Sequence, residues 1–169
     1  MKQIGVGILG FGTVGAGVAE GLLKHRAVMA ERLDVDIALK KIADLDIATD
    51  RGVAVPKDVL TTDAFAVVSD PEVQIVVETI GGTGIAKTLV LKALESKKCV
   101  VTANKKLLAE YGREIFDAAA ANNVDIYFGA SVGGGIPIIR VLREGLAGND
   151  IESIDGILNG TCNYILTRM

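Results

Sequence analysis

Hydrophobic and polar positions change period many times along this chain. Residues 3–9 are apolar and β-prone and break into Gly10-Phe11-Gly12-Thr13-Val14-Gly15, after which Val14, Val18 and Leu22 recur at helical spacing. That order predicts a strand, a tight turn and a helix with one apolar stripe toward a sheet. The helix is expected to extend through Arg32. Residues 37–43 then predict a second strand ending at Asp44, and residues 49–60, with Gly52 and Pro56, predict an irregular link. A short helix over 63–68 is stopped by Asp70-Pro71. Residues 75–78 predict a buried strand, and 86–94 a helix with Ala86, Leu89, Val90, Ala93 and Leu94 on one face. Strand, helix and strand follow over 99–102, 106–121 and 124–128.

After Phe128 the pattern changes. Gly133-Gly134-Gly135-Ile136-Pro137 starts a helix with Pro137 in its first turn. A break runs from Gly145 to Asp150, and residues 151–158 alternate as a strand does. A further helix, opened by Thr161, still carries Tyr164, Ile165 and Leu166 in need of cover at Met169. The expectation is a fragment of a longer protein, in which residues 1–135 form one domain and residues 136–169 begin a second, α+β domain.

The glycine block gives the first domain its chemistry. Gly10 allows the turn out of the strand, Gly12 lets backbone approach a diphosphate, and Gly15 lets the helix pack on the strand. The helix N-terminus then offers unpaired N–H groups and a partial positive charge to an anion. Such a motif is informative only between a strand and a helix, and here it has both. With strands and helices alternating, the fold class is α/β, a Rossmann-type doubly wound, mostly parallel sheet covered on both faces. Lys2 and the uncharged stretch after it also have the outline of a secretory signal. Six glycines in residues 4–19 make a poor signal helix, because each costs about 1 kcal/mol relative to alanine.

Bulk properties narrow the partners. The chain has 169 residues, and half of them are hydrophobic without a run of transmembrane length, which places the apolar content in a buried sheet. A net charge of -3 and a pI near 5.2 argue against a nucleic-acid partner. Cys99 and Cys162 lack metal-ligand spacing and point to a reducing, cytoplasmic setting. His25, the sole histidine, lies beyond the phosphate end of its helix and reads as a solvated residue, so a proton relay must use Lys, Asp, Glu or water.

Asp44 ends the second strand, where a carboxylate accepts the ribose hydroxyls of NAD. It follows Gly15 by 29 residues, more than the roughly 20 usual for this motif, which the long helix explains. Lys40, Lys41, Arg51 and Lys57 offer charge for a 2′-phosphate, so NAD and NADP both stay in view. Thr79-Ile80-Gly81-Gly82 is expected to bring small residues and available N–H groups to a nicotinamide. Lys105 starts a helix, where a cation opposes the dipole by about 0.3–1 kcal/mol. An anionic or oxygen-bearing ligand explains that placement better than helix stability does.

The glycine loop, Glu78-Thr79-Ile80-Gly81-Gly82, Thr102-Ala103-Asn104-Lys105-Lys106, Ser131-Val132-Gly133-Gly134-Gly135-Ile136-Pro137 and Gly156-Ile157-Leu158-Asn159-Gly160-Thr161-Cys162-Asn163-Tyr164-Ile165-Leu166 together resemble the homoserine dehydrogenase family, in order and spacing. The resemblance implies an NAD(P)-dependent oxidoreductase that interconverts L-homoserine and L-aspartate 4-semialdehyde in threonine, methionine and isoleucine biosynthesis. It implies cofactor contacts at Gly10, Phe11, Gly12, Thr13, Val14, Gly15, Asp44, Thr79, Ile80, Gly81 and Lys105. Lys105 is also implied as the catalytic lysine, with the main proton donor beyond Met169. Asn159, Gly160 and Thr161 are implied substrate residues. A sodium site is implied on the carbonyls of Val132, Gly134 and Ile136, although its carboxylate position is Gly129 here. The implied partners are a small-molecule substrate and, at full length, further copies of the chain, with no nucleic acid or membrane. The fragment is expected to bind nucleotide and to turn over poorly alone. Two other readings compete: a phosphorylating semialdehyde dehydrogenase using Cys162, and a non-catalytic nucleotide-sensing module.

Overall fold

The computed structural model describes residues 1–157 and 160–169, without the side chain of Thr161. Among the described residues the strands are β1 (Lys2–Leu9), β2 (Val35–Ala43), β3 (Leu60–Thr61), β4 (Ile75–Glu78), β5 (Cys99–Thr102) and β6 (Ile126–Tyr127). They form one sheet in the order β3-β2-β1-β4-β5-β6, with every pairing parallel. This is the Rossmann order, in which the crossover reverses between β1 and β4 and leaves a crevice at the carboxyl ends of those strands.

Period-two alternation covers both faces. Val6 and Ile8 of β1, Val77 of β4 and Val101 of β5 face one side. There α1 (Thr13–Lys24) packs with Ala16 and Ala19 at the contact. Leu9, Val76 and Val100 face the other side, covered by α3 (Ala64–Val68), α4 (Gly84–Glu95) and α5 (Lys105–Asn122). Fully buried Leu89, Leu94, Leu107 and Ile115 supply the bulk of that layer. Each such side chain contributes about 1.5–3 kcal/mol by leaving water.

Several boundaries differ from expectation. The helix after the glycine loop does not run through Arg32. It stops at Lys24, and α2 (Arg26–Leu33) starts again after His25, whose exposed ring fits the expected solvated residue. Arg26 explains the break, since its Nε and Nη2 reach Asp36 at 2.6 and 2.7 Å and draw α2 onto β2. The helix face is also shifted, because Val14 is 55% exposed while Val18 and Leu22 pack on the core. Leu60, expected to close the irregular link, and Thr61 after it pair with Ile42 and Ala43 as β3.

Beyond β6 the structure opens. Pro137 is the cap of α6 (Ile138–Arg140), one residue outside the helix it was expected to begin, and a wider turn continues over Val141–Gly145. Residues 151–157 are exposed and not a strand, for no described neighbour pairs with their backbone. Leu158, the last residue of that expected strand, lies outside the described residues. The final helix, α7 (Gly160–Arg168), exposes Tyr164, Ile165 and Leu166 as expected. Among the described residues no helix is long and apolar enough to cross a membrane.

Candidate functional site

The carboxyl ends of β1, β2 and β4 surround a cleft of about 320 Å³ lined by Gly10, Gly12, Asp44, Thr79, Ile80 and neighbours from α3 and α4. The three glycines of the loop act through three geometries. Gly10 has φ +96° and sits where a Cβ would stand 2.9 Å from the Thr79 carbonyl oxygen. A Cβ on Gly15 would come within 1.9 Å of the Gly10 carbonyl oxygen, so the helix can lie on the strand only without one. At Gly12 nothing lies within 4 Å of the Cβ position, which leaves open space on the cleft wall.

The start of α1 suits an anion. Gly12 caps it with no side-chain hydrogen bond, and its first turn holds no acidic residue. By contrast Asp63 and Asn104 cap α3 and α5 with their own side chains. The orphan N–H groups at the head of α1 therefore face the crevice unsatisfied by side chains, with the positive end of the helix dipole behind them.

Asp44 is half-buried at the end of β2 and already engaged. Its Oδ2 accepts from the Phe11 N–H at 2.5 Å and its Oδ1 from the Asp46 N–H at 2.8 Å. The carboxylate thus holds the glycine loop in shape while facing the cleft. Thr79 ties the same loop from β4, its hydroxyl donating to the Leu9 and Gly10 carbonyls at 3.0 and 2.9 Å.

The loop after β4 corrects one expectation. Three of its four N–H groups are already engaged: Thr79 donates to Leu9 at 2.8 Å, and Ile80 and Gly81 donate to Glu78 Oε1 at 2.9 and 3.2 Å. Glu78, passed over as a site residue in the sequence, organises this region. The signal was there in outline, a carboxylate inside an otherwise apolar strand end.

Not every expected residue joins the cleft. Lys105 is exposed at the first position of α5, and its side chain makes no hydrogen bond or ion pair among the described residues. Phe11 is buried at 4% exposure and contributes its N–H rather than its ring, and Thr13 lines a neighbouring recess with Glu20 and Arg51. Lys40 and Lys41 pair with Glu72 and Asp70 at 3.4 and 2.7 Å and do not line the cleft. Arg51 and Lys57 share a recess against Phe11, and the buried Arg51 Nε has no hydrogen-bond partner. Asn159 lies outside the described residues, as does the Thr161 side chain, and Gly160 is the exposed first residue of α7.

The expected cation site has a short donor set. The Ile136 carbonyl already accepts from the Ile138 N–H at 2.8 Å, and Gly129 offers no side-chain oxygen. A hard cation wants several oxygens, and among the described residues no cluster of three acidic, histidine or cysteine side chains supplies them.

Comparison with known proteins agrees with this geometry. Residues 10–129 match the family model described as "Homoserine dehydrogenase, NAD binding domain", and residues 137–169 match "Homoserine dehydrogenase". The homoserine dehydrogenase of Bacillus subtilis is 48% identical over 169 residues, all of this chain and 39% of that protein. That of Neisseria gonorrhoeae is 50% identical over the same span, again 39% of its length. The crystal structure of a homoserine dehydrogenase from Thiobacillus denitrificans superposes with a TM-score of 0.92 at 48% identity, covering all of this chain and 39% of that one. A hyperthermophilic archaeal homoserine dehydrogenase in complex with NADPH gives 0.75 at 28% identity, over 98% of this chain and 56% of that one. The chain thus spans about two fifths of its curated relatives. An uncapped helix over a glycine turn, the Rossmann strand order and these matches agree: the chain belongs to the homoserine dehydrogenase family.

Proposed function

We propose that this chain is the cofactor-holding part of an enzyme that interconverts L-homoserine and L-aspartate 4-semialdehyde on the route to threonine, methionine and isoleucine. The observation that carries the reading is the bare N-terminus of α1 beside the open wall at Gly12. Those N–H groups hold the diphosphate of NAD or NADP, and Asp44 accepts from the adenosine ribose. When bound, the nicotinamide ring gives or takes a hydride at C4. Lys105 approaches the substrate oxygen as a proton-bearing cation or orients a water toward it. The main proton donor lies in the part of the protein beyond Met169. Residues 136–169 begin the substrate domain, with Asn159, Gly160 and Thr161 against the substrate. The complete protein works in the cytoplasm as a homo-oligomer.

Asp44 favours NAD, since a carboxylate repels a 2′-phosphate. One observation favours NADP instead: the buried, unpartnered Arg51 Nε in the recess beside α1. Calorimetric titration of the chain with NADH and NADPH, with and without Asp44→Ala, separates the two. Under the NAD reading the substitution weakens NADH and leaves or improves NADPH. Equal loss for both ligands contradicts a ribose contact, and absence of binding to the unsubstituted chain contradicts the reading as a whole.

A further inference from the structure

Glu78 is fully buried at the carboxyl end of β4, with 0% exposure. Burying a carboxylate is costly unless hydrogen bonds replace the lost water, and all of its partners are neutral. Oε1 accepts from the N–H groups of Ile80 and Gly81 and, at 3.5 Å, from Asn104 Nδ2. Oε2 accepts from the Thr102 hydroxyl at 2.6 Å. Among the described residues no lysine, arginine or histidine forms an ion pair with it.

The donors come from the loop after β4 and from the end of β5, the strand paired with β4 through Glu78 and Thr102. Thr102 closes β5, and its single hydroxyl hydrogen must go to Glu78, because its oxygen receives the Asn104 N–H at 3.0 Å. Asn104 in turn donates to the Gly82 carbonyl at 2.7 Å and caps α5 through the Leu107 N–H at 3.0 Å. One side chain therefore fixes the loop after β4 against the residue that precedes Lys105.

The peptide planes carry the argument further. No peptide is cis, so each carbonyl points opposite to the N–H of the same plane. With Ile80 and Gly81 N–H groups turned inward onto Glu78, the carbonyls of Thr79 and Ile80 turn outward. The peptide joining Thr79 to Ile80 lies flat against Gly10, its carbon and oxygen 2.9 Å and its nitrogen 3.0 Å from where a Gly10 Cβ would stand. Gly81 and Gly82, at φ +79° and +68°, permit this reversal. The rim of the crevice on the β4 side thus shows acceptors.

We propose that Glu78 is a positioning residue for the nicotinamide half of the dinucleotide: it turns the loop's N–H groups inward so that carbonyl acceptors meet the donors of the carboxamide. This rests on the cofactor reading above. A carboxamide NH₂ suits such a rim, whereas a carboxylate at the same position meets oxygen with oxygen.

The test is calorimetric titration of the chain with NAD, nicotinic acid adenine dinucleotide and ADP-ribose, comparing the unsubstituted protein with Glu78→Gln. The unsubstituted chain is expected to prefer NAD over its acid analogue by about tenfold, the scale of one mismatched buried polar contact. In Glu78→Gln an amide NH₂ replaces one carboxylate oxygen, so either the Thr102 hydroxyl or the two loop N–H groups lose their acceptor, and the preference falls to within about twofold while ADP-ribose affinity holds. Retention of the tenfold preference overturns the proposal, as does equal loss for all three ligands, which marks a merely structural role. Binding of all three with no preference in the unsubstituted chain overturns it too, while the cofactor reading stands. Binding of none overturns the cofactor reading and this inference with it. Should Glu78→Gln not fold, Thr102→Val removes the Oε2 donor and must reduce the preference, and Thr102→Ser must restore it. Failure of either result counts against the proposal.

Discussion

Gly12 and Gly15 stand three positions apart and serve opposite ends. A Cβ at Gly15 would lie 1.9 Å from the Gly10 carbonyl oxygen, so Gly15→Ala forces helix and strand apart. Its unfolding free energy, read by urea titration, is expected to fall by roughly 1–3 kcal/mol. At Gly12 the added methyl enters open space. Gly12→Ala should shift stability by at most about 1 kcal/mol, the scale of a helix-cap change, yet weaken NADH binding sharply. Lys105→Ala, at an exposed position, should leave stability within about 0.5 kcal/mol and lower turnover of the complete protein. Stability falling with turnover unchanged would remove Lys105 from the chemistry and favour a nucleotide sensor. The geometric parts of Gly10 and Gly15 were legible in the sequence because a local motif dictates them. Glu78 showed only in outline, as a carboxylate at an apolar strand end, because two of its donors, Thr102 and Asn104, come from more than twenty positions away.

Strands and helices followed their periods where the segments were long. Residues 75–78 and 99–102 became β4 and β5 with the expected bounds, since continuous apolar runs between turns leave little choice. β3 escaped notice because two residues show no alternation, and only pairing with β2 defines them. The break between α1 and α2 was hidden for a related reason, as it depends on an ion pair from Arg26 to Asp36 across the β2 edge. That contact has a pH signature. Hydrogen bonds from Arg26 and then Gln3 hold the Asp36 carboxyl at about 2, below its ordinary 3.8. A carboxylate with a lowered folded pKa stabilises the fold above its ordinary value, and the contribution is lost as pH falls through about 2. Asp36→Asn should therefore show a smaller drop in thermal midpoint than the unsubstituted chain between about pH 5 and pH 2.5. Equal drops would mean that the contact contributes nothing to folding.

Across the chain, residues 2–127 form a doubly covered sheet with one crevice where the crossover reverses. The segment beyond it presents Ile151, Ile154, Ile157, Tyr164, Ile165 and Leu166 to solvent. The expected strand there did not form because a strand needs a neighbour to pair with its backbone, and no described residue provides one. The account as a whole depends on where a dinucleotide settles. Crystals of the chain soaked with NADH test this most directly. The expected density places diphosphate oxygens within about 3.2 Å of the N–H groups at the start of α1, with the nicotinamide over the β4 loop. A nucleotide bound elsewhere, with the turn at Gly12 empty, would contradict it.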